Sequence, residues 1–186
     1  MKKGTFSFEL LDKYPPEIVI GKALKQIEEA TNGYVVGIIK DYEGPISSYS
    51  KQTGFAAALK TMQSTSETIT VDIQKKLGEQ DEKNHKYEVY LAARGLEHYK
   101  YRMMFVNYGT VSYPVMIVMN EELSIEYNGR RNYTYLVSSM KELEDMINKV
   151  IDSDIIVSLV QNLINESLRQ ESIEEIYPKI ESSDQM

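Results

Sequence analysis

Between residues 87 and 137 the chain runs in short stretches of alternating apolar and polar or β-branched residues. On either side of that block, apolar residues recur instead at intervals of three and four. Alternation sends successive side chains to opposite faces of a strand, whereas the longer interval lines one face of a helix. The pattern therefore predicts strands over residues 87–94, 99–107, 113–119, 123–127 and 131–137. Residues 95–98 join the first two. Asn128-Gly129 joins the last two as a tight hairpin, because both residues accept positive φ.

Ahead of the block, residues 4–11 alternate as a short strand. Residues 16–31 carry Ile20, Ala23, Leu24, Ile27 and Ala30 on one helical face. Pro15 and Pro16 suit the first turn, where an amide would lack a partner in any case, and Asn32-Gly33 supplies the stop. Residues 34–42 read as a strand ended by Gly44-Pro45. Phe55, Ala58, Leu59 and Met62 have the spacing of a short helix, residues 68–73 form a strand running on toward Leu77, and residues 78–86 are a polar turn. After the block, Ser138 or Ser139 caps a helix whose face is Met140, Leu143, Ile147, Val150 and Ile151. Glu142 completes a capping box with Ser139. Ser153 or Asp154 caps another helix, with a broad stripe over Ile155, Ile156, Leu159, Val160, Leu163, Ile164 and Leu168. Strands in one block followed by helices in another predict an α+β fold: a twisted antiparallel sheet with helices packed on one face and two C-terminal helices. Residues 1–169 form a single domain on this reading, and residues 170–186 an acidic, flexible tail.

Two stretches also carry a resemblance. One runs from Pro15-Pro16-Glu17-Ile18 to Asn32-Gly33 and into the strand at Tyr34. The other joins Tyr87-Glu88-Val89-Tyr90-Leu91-Ala92-Ala93, Tyr99-Lys100-Tyr101-Arg102 and Tyr113-Pro114-Val115 to the helical run holding Lys141-Glu142-Leu143-Glu144 and Leu163. Together they resemble a group of uncharacterised small bacterial α+β proteins with no established activity. The resemblance implies the same element order and a bacterial or phage setting, and it implies no chemistry.

Composition narrows the functional classes. The chain has no cysteine, which removes disulfides, thiolate nucleophiles and cysteine-held metals. The N-terminal stretch lacks a signal-peptide run and no segment has the length of apolar residues a bilayer needs, so the expectation is a cytoplasmic protein with no membrane contact. The net charge of −7 falls wholly on residues 138–186, where eleven acids face four bases, while residues 1–137 are balanced. That balance argues against broad binding to duplex nucleic acid. The acidic end is either a solvated helical face or a surface for a basic partner.

No nucleophile elbow and no phosphate-binding glycine pattern is present, so no catalytic residue, metal ligand or cofactor is assigned. Asp81, Glu82 and His85 match no metal-cage spacing. His98, between two strands and near Arg94, Glu97 and Arg102, is either a hairpin surface residue or an acid–base group.

Tyrosine and arginine are the residues that stand out. Nine of the 14 tyrosines lie between residues 87 and 135. Strict alternation puts Tyr99, Tyr101, Met103 and Phe105 on one side of the second strand of the block, and Lys100, Arg102 and Met104 on the other. With Tyr90 and Arg94 this makes a face of Tyr90, Arg94, Lys100 and Arg102, flanked by His98 and joined by Arg130 and Arg131 if the last hairpin lies alongside. Tyrosine and arginine anchor protein contacts, although tyrosine is also simply a good strand former. The expected function is a non-catalytic protein-binding module, of immunity-like or inhibitor type, using this face or the acidic helical end. The alternative is a nucleotide-like anion-binding or hydrolytic module built on Arg94, His98, Arg102 and Arg131. The 155–168 helix, broader in apolar width than one sheet contact requires, also allows a homo-oligomer.

Overall fold

The computed structural model describes residues 12–44, 46 and 85–176, the last three by backbone alone. The sequence-predicted strands at 4–11 and 68–77 and the short helix at 55–62 lie outside the described residues, as do 78–84 of the polar turn. The elements in order are α1 (Pro16–Ala30), β1 (Val35–Asp41), β2 (His85–Ala93), β3 (Tyr101–Tyr108), β4 (Val115–Met119), α2 (Glu121–Asn128), β5 (Thr134–Val137), α3 (Met140–Ile151) and α4 (Asp154–Ile176). The five strands form one antiparallel sheet in chain order, β1-β2-β3-β4-β5. The fold is α+β, with helices layered on one face of this open sheet and two helices closing the chain. No helix among the described residues is long and apolar enough to cross a membrane.

The main core lies between sheet and helices. Val35, Val89, Leu91, Met104, Val106, Val115, Ile117 and Val137 face Ile20, Leu24 and Ile27 of α1, Leu143, Ile147 and Val150 of α3, and Ile156 and Leu163 of α4. Burying each such side chain fully contributes about 1.5–3 kcal/mol, which drives the amphipathic helices onto the strands. Helix α1 sits especially close to the sheet. A Cβ on Gly37 of β1 would lie 2.6 Å from the Cβ of Leu24, so only glycine lets the two backbones approach this far. The Thr31 hydroxyl donates to the Ile27 carbonyl at 2.8 Å and accepts the Val35 amide at 3.2 Å, tying the end of α1 to the start of β1.

Caps set the terminal helices. Ser139 Oγ accepts the Glu142 amide at 3.3 Å, and the Glu142 carboxylate accepts the Ser138 amide at 2.8 Å. The first amides of α4, from Asp154 and Ile155, are taken by the Glu126 carboxylate of α2 at 2.6 and 3.2 Å, which pins these two helices together.

The structure differs from the sequence reading at three places here. Residues 123–127 are not a strand: they lie in α2. Leu123 and Tyr127 are spaced four apart, which satisfies a helix face as well as alternation, and the caps decide between the two. Asn120 Oδ1 accepts the Glu122 amide at 2.9 Å, and two acids occupy the first turn. Gly129 consequently takes its positive φ of 69° as the helix stop rather than in a hairpin turn. Helix α4 also continues past Arg169 to Ile176, and Glu171 on this extension receives the Tyr34 hydroxyl at 3.0 Å.

Candidate functional site

Because Val89, Leu91 and Ala93 enter the core, the alternate residues of β2, Glu88, Tyr90 and Ala92, point away from the helices. The neighbouring strand does not keep simple alternation. Val89 is opposite Met104 but Tyr90 is opposite Arg102, so Met103 is an extra residue, a β-bulge. Met103 and Met104 are consequently both buried. The bulge resets the face of everything beyond it. Phe105, which strict alternation puts opposite Arg102, shares its face, with the guanidinium 4.7 Å from the centre of the phenyl ring. Tyr101 turns to the core side, where burial pushes its phenol up to about 12.

On the face away from the helices, Arg102 Nε donates to Glu88 Oε1 at 2.5 Å, and Lys100 Nζ donates to the other oxygen of the same carboxylate. The Lys100 ammonium also lies 4.0 Å from the centre of the Tyr90 ring. The Glu88 side chain is only 7% exposed, whereas Lys100 and Arg102 are 41% and 39% exposed. Burial alone would raise the Glu88 carboxyl, but the hydrogen bonds and charges of Lys100 and Arg102 outweigh it and hold the group below its ordinary range. A buried carboxylate needs such partners, and their Coulomb gain is largely spent on its desolvation. The arrangement holds two half-exposed cations close to aromatic rings, 4.0 and 4.7 Å from the ring centres. Glu88 and Phe105 were not among the residues singled out from sequence. The two-residue spacing of Glu88 from Tyr90 carried the signal for the first, and no local signal marked the second.

The remaining sequence-predicted residues are elsewhere. Arg94 turns toward the helix layer, 3.5 Å from the Glu171 carboxylate and 5.9 Å from the Tyr34 ring centre. His98 is exposed in the β2–β3 turn. Arg130 and Arg131 are exposed on the connection made by α2, with Arg131 Nε 3.9 Å from Glu121. The structure thus brings together Tyr90, Lys100 and Arg102. It does not gather Arg94, His98, Arg102 and Arg131 into one cleft, because three of them are matched to three different carboxylates.

Around this trio the face is largely apolar. Val36, Ile38 and Ala92 are half-buried beside Tyr90, and Phe105, Met116 and Val118 form a second cluster with Ile46 and Tyr42. Leu136 at the β5 edge is 57% exposed.

A separate recess of about 470 Å³ lies among α2, α3 and the start of α4, lined by residues that include Glu126, Tyr127, Lys149 and Ser153. Its charged groups hold the helices together: Glu126 caps α4, and Lys149 Nζ donates to the Tyr127 carbonyl at 2.9 Å. Among the described residues, no group of three or more histidine or carboxylate side chains is placed to hold a metal ion. No family model, no curated protein and no solved structure matches this chain.

Proposed function

We propose that this protein is a non-catalytic protein-binding module, of inhibitor or immunity-like type and cytoplasmic setting, that engages its partner through the sheet face turned away from the helices. The observation that carries the reading is the half-exposed pair Lys100 and Arg102, both fixed by the buried Glu88, with the Tyr90 ring against Lys100. Cations already held in place lose little side-chain entropy when they meet a partner's acceptors, and an aromatic ring beside them adds apolar area. The anion-binding alternative needs converging cations, and it is weakened by the separate carboxylate partners of Arg94, Arg102 and Arg131.

The test is affinity capture from the source cells, with the captured partner then titrated against variants. Tyr90→Ala and Arg102→Gln should each weaken that partner at least tenfold, or 1.4 kcal/mol, at unchanged secondary structure. Equal affinity for both variants and the parent protein would remove the sheet face from the proposal.

A further inference from the structure

The charges of this chain are divided between its two layers. The closing helices and the turn between them, residues 140–176, hold nine acids and three bases. The sheet face turned away from them is cationic. Lys40 of β1 is opposite Glu88 of β2, and opposite residues of an antiparallel pair share a face. Lys86 precedes Glu88 by two residues in β2 and is on the same side. Asp41, the other acid of the five strands, is opposite Tyr87 and belongs to the helix side. With Lys100 and Arg102 the face therefore carries four bases and one acid, a net of +3 in a chain of net −7. That acid, Glu88, is spent on Lys100 and Arg102. Lys40 is exposed and Lys86 half-buried, and neither has a carboxylate partner among the described residues.

We propose that the partner surface this face receives is acidic, an extended run of aspartate and glutamate side chains on another protein; this rests on the sheet-face reading and specifies its partner. Opposite charge on the two layers orients the encounter, because an acidic partner is repelled from the helix side and drawn to the sheet. The four bases are spread over three strands, about 13 Å along them and about 10 Å across. That spread suits several carboxylates on successive residues better than one small anion. Both amines and the guanidinium form charge-assisted hydrogen bonds with carboxylates, and Glu88 occupies the Nε of Arg102 alone of its nitrogens. A single-stranded nucleic acid also carries negative charge, but it binds sheets by stacking bases on open rings. Phe105 is only 5% exposed, and the Tyr90 ring already carries the Lys100 ammonium.

NMR titration of the full chain with a glutamate oligomer of about ten residues, which at about 3.3 Å per residue spans the patch, tests this. Amide shifts should concentrate on β1, β2 and the start of β3, and affinity should fall steeply as salt is raised. Lys40→Gln with Lys86→Gln should weaken binding about threefold, and Lys40→Glu with Lys86→Glu about tenfold. The glutamine pair adds no repulsion toward Glu88, and its unchanged melting will show that the fold is kept. No binding up to about 1 mM at low salt, shifts spread evenly over the chain, or parental affinity in the glutamine pair would overturn the proposal. Tighter binding of a single-stranded oligonucleotide of the same charge would overturn it in favour of nucleic acid. The sheet-face reading fails separately. A captured partner weakened by Tyr90→Ala and Arg102→Gln but not by Lys40→Gln with Lys86→Gln would keep that reading and remove the acidic partner.

Discussion

The two faces of the sheet are made from the same five strands, yet they solve different problems. The helix-side face is a continuous apolar layer closed by α1, α3 and α4. The other face divides into a small apolar cluster around Phe105, Met116 and Val118 and a charged corner around Glu88. On the first face, a side chain contributes by filling volume between two layers. On the second, Glu88 occupies a buried position that a hydrophobic residue could fill without any charge to compensate. A buried ion pair adds little net stability, so its presence there is better explained by what it does to Lys100 and Arg102, which it holds in fixed positions at the surface.

The sharpest test of that contrast compares Ile117→Ala on the helix-side face with Leu136→Ala on the other. Ile117 is fully buried and Leu136 is 57% exposed. Urea denaturation should show a loss of about 2–5 kcal/mol for the first and under about 0.5 kcal/mol for the second. Comparable losses would mean that the second face is as tightly covered as the first.

Next in size is Gly37→Ala. Its new Cβ would meet the Cβ of Leu24, an atom that cannot rotate away, so the cost should be about 1–3 kcal/mol. In a Leu24→Ala background the contacts with Cδ2 at 2.6 Å and Cγ at 2.9 Å are removed while that with Cβ remains, so a double-mutant cycle should give a partial coupling of about 1 kcal/mol. Full additivity would mean that α1 shifts freely on the sheet.

The smallest effect should come from the charged corner. Replacing Lys100 and Arg102 together with glutamine leaves Glu88 buried without its cations. Solvent screening of the half-exposed cations limits the cost to about 1 kcal/mol at neutral pH. The pH dependence gives the sign. In the parent chain the folded-state pKa of Glu88 lies below its unfolded value, so its contribution is present above the unfolded value and is lost as pH falls through the folded one. In the double variant, burial acts alone and raises the carboxyl, so protonation in acid relieves the penalty. The stability gap between the two proteins should therefore close as pH falls through the carboxylate range. A gap independent of pH would show that the cations do not act through Glu88.

Much of this architecture was legible along the chain because it is local. Pro16, the apolar interval from Ile20 to Ile27 and the stop after Thr31 define α1 without reference to anything else. Ser139 with Glu142 defines the start of α3, and the alternation over 87–94 and 99–107 defines the central hairpin. The site was legible in part. Alternation within β2 and β3 was enough to group Tyr90, Lys100 and Arg102. Arg94 failed to join them because Glu171, 77 positions further along, draws it to the helix layer. Arg130 and Arg131 do not join because α2 stands where alternation predicts the fourth strand of the block, residues 123–127.

What the sequence determined by itself was the set of amphipathic segments, most of their ends and their antiparallel order, since caps, turns and periodicity depend on neighbours a few residues apart. The helix at 121–128 also follows from a local cap, that of Asn120, so two matters were left to the tertiary structure: the bulge at Met103 and the choice of carboxylate for each cation. Each depends on which strand or helix lies alongside. A single extra residue in β3 reverses every face beyond it, and an ion pair forms with whichever opposite charge the packing brings within about 4 Å.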